Sequence, residues 1–245
     1  MLRYIFLGII QGLTEFFPVS SSAHLVVAQK LMGMRGEEIA ISVILHLGTV
    51  LALLVFFFKD ILKLLRDIRS MALIAVVTVI TGAIGVLGKD FFESLFSTTK
   101  PVGVVLLITG TILILTKFAQ AKRDKVDIKD ALILGCTQGI AIIPGISRSG
   151  MTISTLLLRR IDQEVCFKFS FLASIPIILG AAVFEAKKIG FALQGDAKNL
   201  IVGFAFSFLS GLAALALLKA VLKKAKFYYF GFYCIIIGII TLLFI

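Results

Sequence analysis

The chain has 245 residues, of which 59% are hydrophobic and 16% charged, with a formal net charge of +11. Soluble domains are roughly half apolar or less, so there is too little polar sequence here to cover a water-exposed core; lipid is the solvent for most of the chain. The basic residues cluster in short segments between apolar runs, a pattern that fits cytoplasmic loops and anionic headgroups and argues against a nucleic-acid surface.

In chain order, the first apolar stretch, Tyr4–Thr14, is too short to span a bilayer. It runs into Glu15, Pro18 and the serines Ser20, Ser21 and Ser22 before Leu25–Ala28 resumes an apolar course. Three runs without Asp, Glu, Lys or Arg follow: Ile39–Phe58, Ser70–Gly88 and Pro101–Thr116. Each comes close to the roughly 20 residues that cross the hydrocarbon as helix. Ala131–Ile143 is short again and meets Pro144, Gly145 and Arg148 before Met151–Leu158. Three further runs close the chain: Phe169–Phe184, Asn199–Leu218 and Phe227–Ile245. Lys117, Lys168 and Lys187 can snorkel from the ends of the two shorter runs. The two interrupted stretches read as helix, polar break, helix, which predicts re-entrant hairpins or helices broken at membrane depth. The plainer alternative is one span per region, kinked at its proline. Cys136, Cys166 and Cys234 have no ligand-like spacing and lie in or beside apolar runs, so buried free thiols are expected.

The interrupted stretches resemble each other. Leu7-Gly8-Ile9-Ile10-Gln11-Gly12-Leu13 aligns with Leu134-Gly135-Cys136-Thr137-Gln138-Gly139-Ile140, and on that register Ser20-Ser21-Ser22 faces Ser147-Arg148-Ser149. Three spans follow each. The predicted fold is therefore an all-α transmembrane bundle, a single membrane domain over 1–245 with six full spans and two re-entrant hairpins, divided into repeats near 1–120 and 121–245. A hairpin returns to its own side and three spans cross an odd number of times, so the second half is inverted. Both tips then point to the midplane from opposite faces, where sites form between inverted repeats. Loops 59–70, 117–130, 159–168 and 219–226 carry sixteen Lys and Arg, against eight on the face with both termini and loops 30–38, 89–100 and 187–198. The positive-inside rule puts the first face in the cytoplasm and both termini outside.

The concentrated polar chemistry lies at the two breaks. Gln11 and Glu15 are four apart and share a helix face; His24 follows the serines at the start of the next helix. A carboxylate at membrane depth is costly and marks function. In the second break Arg148 offers a planar donor fork that matches phosphate, and Gly145 and Gly150 permit close backbone approach. Ser147 or Ser149 can cap the helix that follows, as Ser20 or Ser21 can in the first hairpin. Two helix N-termini and one arginine make an anion site, alongside the structural role of an Arg148–Glu15 pair. A serine hydroxyl could attack phosphorus with His24 moving protons, while Arg148 and backbone amides stabilise charge and Glu15 holds a divalent cation or orients His24. His46 reads as a packed or site-flanking imidazole, and Phe56–Phe58 and Phe204–Phe208 as packing or lipid-facing surface. Spacing alone leaves a phosphatase and a carrier or flippase of lipid phosphate both open.

The segments QGLTEFFPVSSSAH at 11–24 and PGISRSGMT at 144–152 resemble the undecaprenyl-pyrophosphate phosphatase family, also called the bacitracin-resistance proteins. HLGTVLALL (46–54) and FKFSFLASIPIILGA (167–181) extend the resemblance along the chain. It implies a plasma-membrane enzyme that removes the terminal phosphate of a polyprenyl pyrophosphate. Such an enzyme regenerates the lipid carrier of cell-wall precursors, with a site open to the outside and a divalent cation, Mg2+ or Ca2+. By motif position it implies Glu15, Ser21, His24 and Arg148 as catalytic, with Ser21 preferred to His24 as nucleophile. Gln11, Ser20, Gly145, Ser147, Ser149 and Thr152 would bind substrate, and Gln11 and Glu15 the metal. Partners are then the lipid substrate and membrane lipids, with a homodimer as an open assembly. One departure matters: the family's first acidic position, often Glu, is Gln11 here, which keeps a ligating oxygen but loses the charge. The chain is also short for the family, through trimmed loops.

Overall fold

A computed structural model describes residues 1–33, 38–88, 91–92, 100–189 and 197–244. Much of the predicted outer-face loops, at 34–37, 89–90, 93–99 and 190–196, and the last residue of the final run lie outside these described residues.

Among the described residues the chain is helical throughout, apart from one isolated bridge between Arg123 and Ile161. The first interrupted stretch forms α1 (Leu2–Phe16) and α2 (Ser21–Leu31). The first long apolar run forms α3 (Glu38–Phe56), followed across a 69° bend by the short α4 (Phe58–Leu64). Next come α5 (Ile68–Leu87) and α6 (Lys100–Leu115). The second interrupted stretch forms α7 (Ile128–Ile140) and α8 (Arg148–Leu158). The chain ends with α9 (Gln163–Ile189), α10 (Ala197–Lys223) and α11 (Tyr229–Phe244). Among the described residues three helices, α5, α9 and α10, are long and apolar enough to cross a membrane, with a fourth if the bent pair α3–α4 is one span; α6 and α11 are shorter apolar helices.

The helices α9 and α10 reach into segments expected as loops: Glu164 and Lys168 lie in the opening turns of α9 and Lys219 and Lys223 in the closing turns of α10, where long charged side chains can snorkel. Asp67 starts α5 by accepting the N–H groups of Arg69 and Ser70. Cys136 departs from expectation: it is exposed, on a face of α7 turned from the core, whereas Cys166 and Cys234 are buried; all three are free thiols.

Pairing crosses between the two halves. α1 packs along α10, and its counterpart α7 packs along α5; α3 packs on α10 and α9 on α5; α6 lies along α11. Glycine makes these approaches possible. A Cβ on Gly12 would sit 2.5 Å from the Ser207 carbonyl oxygen of α10, and one on Gly139 would sit 2.6 Å from Ile84 Cδ1 of α5. Gly12 and Gly139 occupy equivalent positions of the internal alignment. The main core is aromatic where α1, α3 and α9 meet. Phe16, Phe57, Phe167 and Phe171 are each fully buried, with Phe16 edge-on to Phe171 at 5.6 Å between centroids. Of the Phe56–Phe58 stretch, Phe57 is core and Phe58 is exposed.

Candidate active site

The two breaks meet. Phe17-Pro18-Val19 turns the chain out of α1, and Ser20 takes φ of +69° before α2 begins at Ser21. Gly145 takes φ of +94° before α8 begins at Arg148, with Ser147 Oγ accepting the Gly150 N–H at 3.2 Å as its cap. Both helices therefore start at the same position of the internal alignment. Across the junction Ser149 Oγ donates to the Phe17 carbonyl at 3.3 Å. A Cβ on Gly150 would lie 3.1 Å from Pro18 Cβ, so the tips pack closely and a larger residue would have to push Pro18 back by a few tenths of an ångström.

Glu15 is the centre of the polar cluster. Its Oε1 accepts from Arg148 Nη2 at 2.6 Å, and its Oε2 accepts from Ser21 Oγ at 2.7 Å and from Gln11 Nε2 at 3.1 Å. His46 Nε2 lies 3.7 Å from the same Oε2, while His46 Nδ1–H donates to the Ser42 carbonyl at 2.7 Å. The Glu15 and Arg148 side chains are 8% and 16% exposed, so this is a mostly dehydrated pair whose partners were set by the fold. Such a pair gains strength from its low-dielectric surroundings and leaves a buried charge behind if either member is removed.

His24 faces elsewhere. Its Nδ1–H donates to the Ser20 carbonyl at 2.8 Å, which leaves Nε2 of the neutral ring to accept from the Tyr233 hydroxyl at 2.7 Å. Among the described residues Ser21 pairs with Glu15, and the His24 ring pairs with Ser20 and Tyr233. Both His24 and Tyr233 line a cavity of about 470 Å³ whose other walls are mainly apolar, among them Ile10, Val27, Leu106 and Ile237. Gly145 lines the same cavity.

The remaining motif residues are less open. Ser20 Oγ and Ser22 Oγ are 3.2 Å apart, and Ser147 Oγ and Ser149 Oγ 3.3 Å apart. Thr152 is buried, donating to the Arg148 carbonyl at 2.8 Å and contacting the Ser170 hydroxyl. Two contacts had no local signal in the sequence. Tyr233 reaches His24 from α11, and the neighbouring Cys234 Sγ donates to the Pro18 carbonyl at 3.2 Å, so one turn of α11 grips both sides of the first break.

The donor set for a resident divalent cation is thin. Among the described residues no group of three or more His, Cys, Asp or Glu gathers. Both Glu15 oxygens are engaged, and beside them Gln11 Oε1 is buried with no hydrogen-bond partner among the described residues. Turning the amide over would face that oxygen to the Glu15 carboxylate, so Nε2 belongs where it is. One salt-bridged carboxylate and one amide oxygen do not fit a protein cage for Mg2+ or Ca2+, which take six or more oxygens.

Fold and site together define a multi-pass membrane protein with one buried carboxylate–guanidinium–serine cluster held between two helical hairpins. The chain belongs to the family described as "Bacitracin resistance protein BacA", whose pattern matches residues 4–240. It is 42% identical to the "Undecaprenyl-diphosphatase" of Halothermothrix orenii over 98% of this chain and 96% of that one. It is also 42% identical to that of Carboxydothermus hydrogenoformans, over 96% and 94% of the two chains. The protein of the same name from Bacteroides fragilis is 38% identical over 96% and 95%.

Proposed function

We propose that the protein hydrolyses undecaprenyl pyrophosphate, or a polyprenyl pyrophosphate of that class, to the lipid monophosphate and inorganic phosphate. The observation that carries this reading is the Arg148–Glu15–Ser21 chain of hydrogen bonds across the hairpin junction, in a chain whose relatives bear that enzyme's name.

In this reading the terminal phosphate lies against Arg148, whose guanidinium keeps donors beyond the one given to Glu15. Ser21 Oγ attacks its phosphorus and passes its proton to Glu15 Oε2, the acceptor it already faces. The bond from that phosphorus to the bridging oxygen breaks, and the prenyl monophosphate leaves. Water then attacks that phosphorus, the bond to Ser21 Oγ breaks, the serine oxygen takes back the proton held by Glu15, and the water's protons leave on the phosphate. Arg148 stabilises charge on the equatorial oxygens in both steps. His46, beside Glu15, keeps that carboxylate in place. A divalent cation bound together with the pyrophosphate would neutralise charge on the phosphates, and Gln11 Oε1 beside Glu15 would be the protein group to face it.

The topology proposed with it is two inverted repeats, near 1–120 and 121–245, giving six spans and two re-entrant hairpins. The reciprocal pairings of α1 with α10 and of α7 with α5 support it. The excess of sixteen Lys and Arg over eight supports termini on the outer face. Phe6, Met32 and Thr241, near that face, line the cavity and support a site open to the outside.

The test is phosphate release from farnesyl or undecaprenyl pyrophosphate by purified protein. Equal, slow release by wild type and Arg148→Ala would sink the proposal. Ser21→Ala separates hydrolysis from carriage: it abolishes turnover in an enzyme and spares movement of lipid phosphate in a carrier.

A further inference from the structure

Two polar groups, His24 Nε2 and the Tyr233 hydroxyl, stand 2.7 Å apart on the wall of a cavity that is otherwise mainly apolar. Their rings stack, 13° from parallel with centroids 5.8 Å apart, and Tyr233 is 42% exposed. Ser21, Glu15 and Arg148 do not line that cavity. The site thus has two compartments, one ionic and one apolar with a polar lip. Ser21 and His24 are three apart on α2, and such positions face the same side of a helix with Cβ atoms about 5–6 Å apart. Two phosphates joined by one oxygen can span that separation.

We propose that Tyr233 and His24 form the subsite for the phosphate that stays on the lipid, with the first isoprene units in the cavity beside them. This rests on the reading of the protein as a polyprenyl pyrophosphatase. The argument runs from the chain inward. A hydrocarbon chain seeks the apolar walls formed by Ile10, Val27, Leu106 and Ile237. The phosphate attached to it then meets the polar lip of that cavity, where Ser22 and Tyr233 have hydrogen to donate and His24 Nε2 is placed to accept from a protonated phosphate oxygen. The terminal phosphate, one bond further, reaches Ser21 and Arg148. The Tyr233 hydroxyl, now donating to His24, turns to a phosphate oxygen when lipid enters; this exchanges one hydrogen bond for a charge-assisted one. The contact of Cys234 with Pro18 holds the register of α11 that puts the phenol there. Tyr233 is thereby a binding residue for lipid phosphate and plays no part in recognising inorganic phosphate.

The experiment is calorimetric titration of purified wild type, Tyr233→Phe and Ile237→Trp with farnesyl monophosphate and, separately, inorganic phosphate. Tyr233→Phe keeps the ring stack and is expected to weaken farnesyl monophosphate about tenfold, the worth of one hydrogen bond to a charged group, with inorganic phosphate unchanged. Ile237→Trp, which fills the apolar wall, is expected to weaken the prenyl ligand alone. Unchanged farnesyl monophosphate affinity in both variants overturns the proposal, as does equal weakening of both ligands in Tyr233→Phe. Failure of the functional reading itself shows differently, as no phosphate release from farnesyl pyrophosphate by wild type, whatever the titrations give.

Discussion

The two hairpins share a plan and divide the work at opposite ends. The first, α1 with α2, is closed at its base by apolar contacts among Tyr4, Leu7, Leu25, Ala28 and Ile41, and keeps its polar groups at the tip. The second, α7 with α8, is closed at its base by charge. Asp130 is fully buried there and accepts from Arg123 Nη1 at 3.0 Å, Arg123 Nη2 at 2.9 Å, Arg159 Nε at 2.7 Å and the Asp127 N–H at 3.0 Å. That carboxylate ties the first turn of α7 to the residue after α8. At the tips the equivalent positions have diverged into complements: Ser21 aligns with Arg148, and both reach Glu15. On the internal alignment two helices start at one point, one opening with a hydroxyl and the other with a guanidinium.

The largest expected effects test this complementarity at the tip. Ser21→Ala should lower phosphate release by about a thousandfold or more while leaving the melting temperature nearly unchanged, because a single hydroxyl is lost. Arg148→Ala should lower turnover as far and also cost about 3 kcal/mol of stability, since Glu15 is left buried without its partner. If the tips are coupled as the hydrogen bonds suggest, Glu15→Gln combined with Arg148→Ala is more stable than Arg148→Ala alone. Additive losses in thermal denaturation would break the coupling.

At the base of the second hairpin the comparison predicts stability without chemistry. Asp130→Ala should cost about 2 kcal/mol, less than a fully buried pair, because Arg123 and Arg159 remain 35% exposed and can turn to water. Turnover per folded molecule should stay near wild type below the melting transition. A loss of turnover with the fold intact would mean that the ionic base does more than anchor.

These assignments were unevenly legible in the sequence. The breaks, the internal alignment and the meeting of Glu15 with Arg148 could be read from a carboxylate and a guanidinium stranded in apolar runs, each of which requires a partner. The partner of Ser21 could not. His24 lies three residues on, a spacing that suggests a serine–histidine pair, but the Ser20 carbonyl takes its Nδ1–H and turns the ring to Tyr233. Tyr233 comes from a helix 209 residues away and belongs to no local pattern. Asp130 was counted within a loop, where its burial by two arginines leaves no hydropathy signal. His46 was read as flanking, and 3.7 Å from Glu15 it does flank the cluster.

The equivalent glycines offer a smaller effect and a sharper contrast. Gly12 faces the Ser210 hydroxyl and two backbone atoms, with the Ser207 oxygen 2.5 Å and the Gly211 nitrogen 2.7 Å from an added Cβ, whereas Gly139 faces only the side chain of Ile84. Backbone cannot step aside without moving α10; at Gly139 the Ile84 Cδ1 can turn away, but its Cβ at 2.9 Å moves only with α5. Gly12→Ala should therefore cost about 2–3 kcal/mol and Gly139→Ala about 1–2 kcal/mol, as overpacking penalties go. Chemical denaturation of the two variants measures the difference directly; equal costs would mean that α1 and α7 are held with equal rigidity.

The smallest expected change is at Gln11, and it separates a cation that resides in the protein from one that arrives with substrate. Gln11 donates to Glu15 Oε2 at 3.1 Å and leaves Oε1 buried and unpartnered. Gln11→Glu replaces that donor with a second carboxylate, and the pair repels unless a cation stands between them. Without divalent ions the variant should melt a few degrees below wild type, about 1 kcal/mol for a chain of this size. Millimolar Mg2+ or Ca2+ should restore it, while wild type, with one carboxylate already paired to Arg148, should not respond. A wild-type melting temperature that rises with cation as much as the variant's would show that Gln11 Oε1 already serves as a ligand, and the cation would then belong to the first hairpin rather than to the substrate.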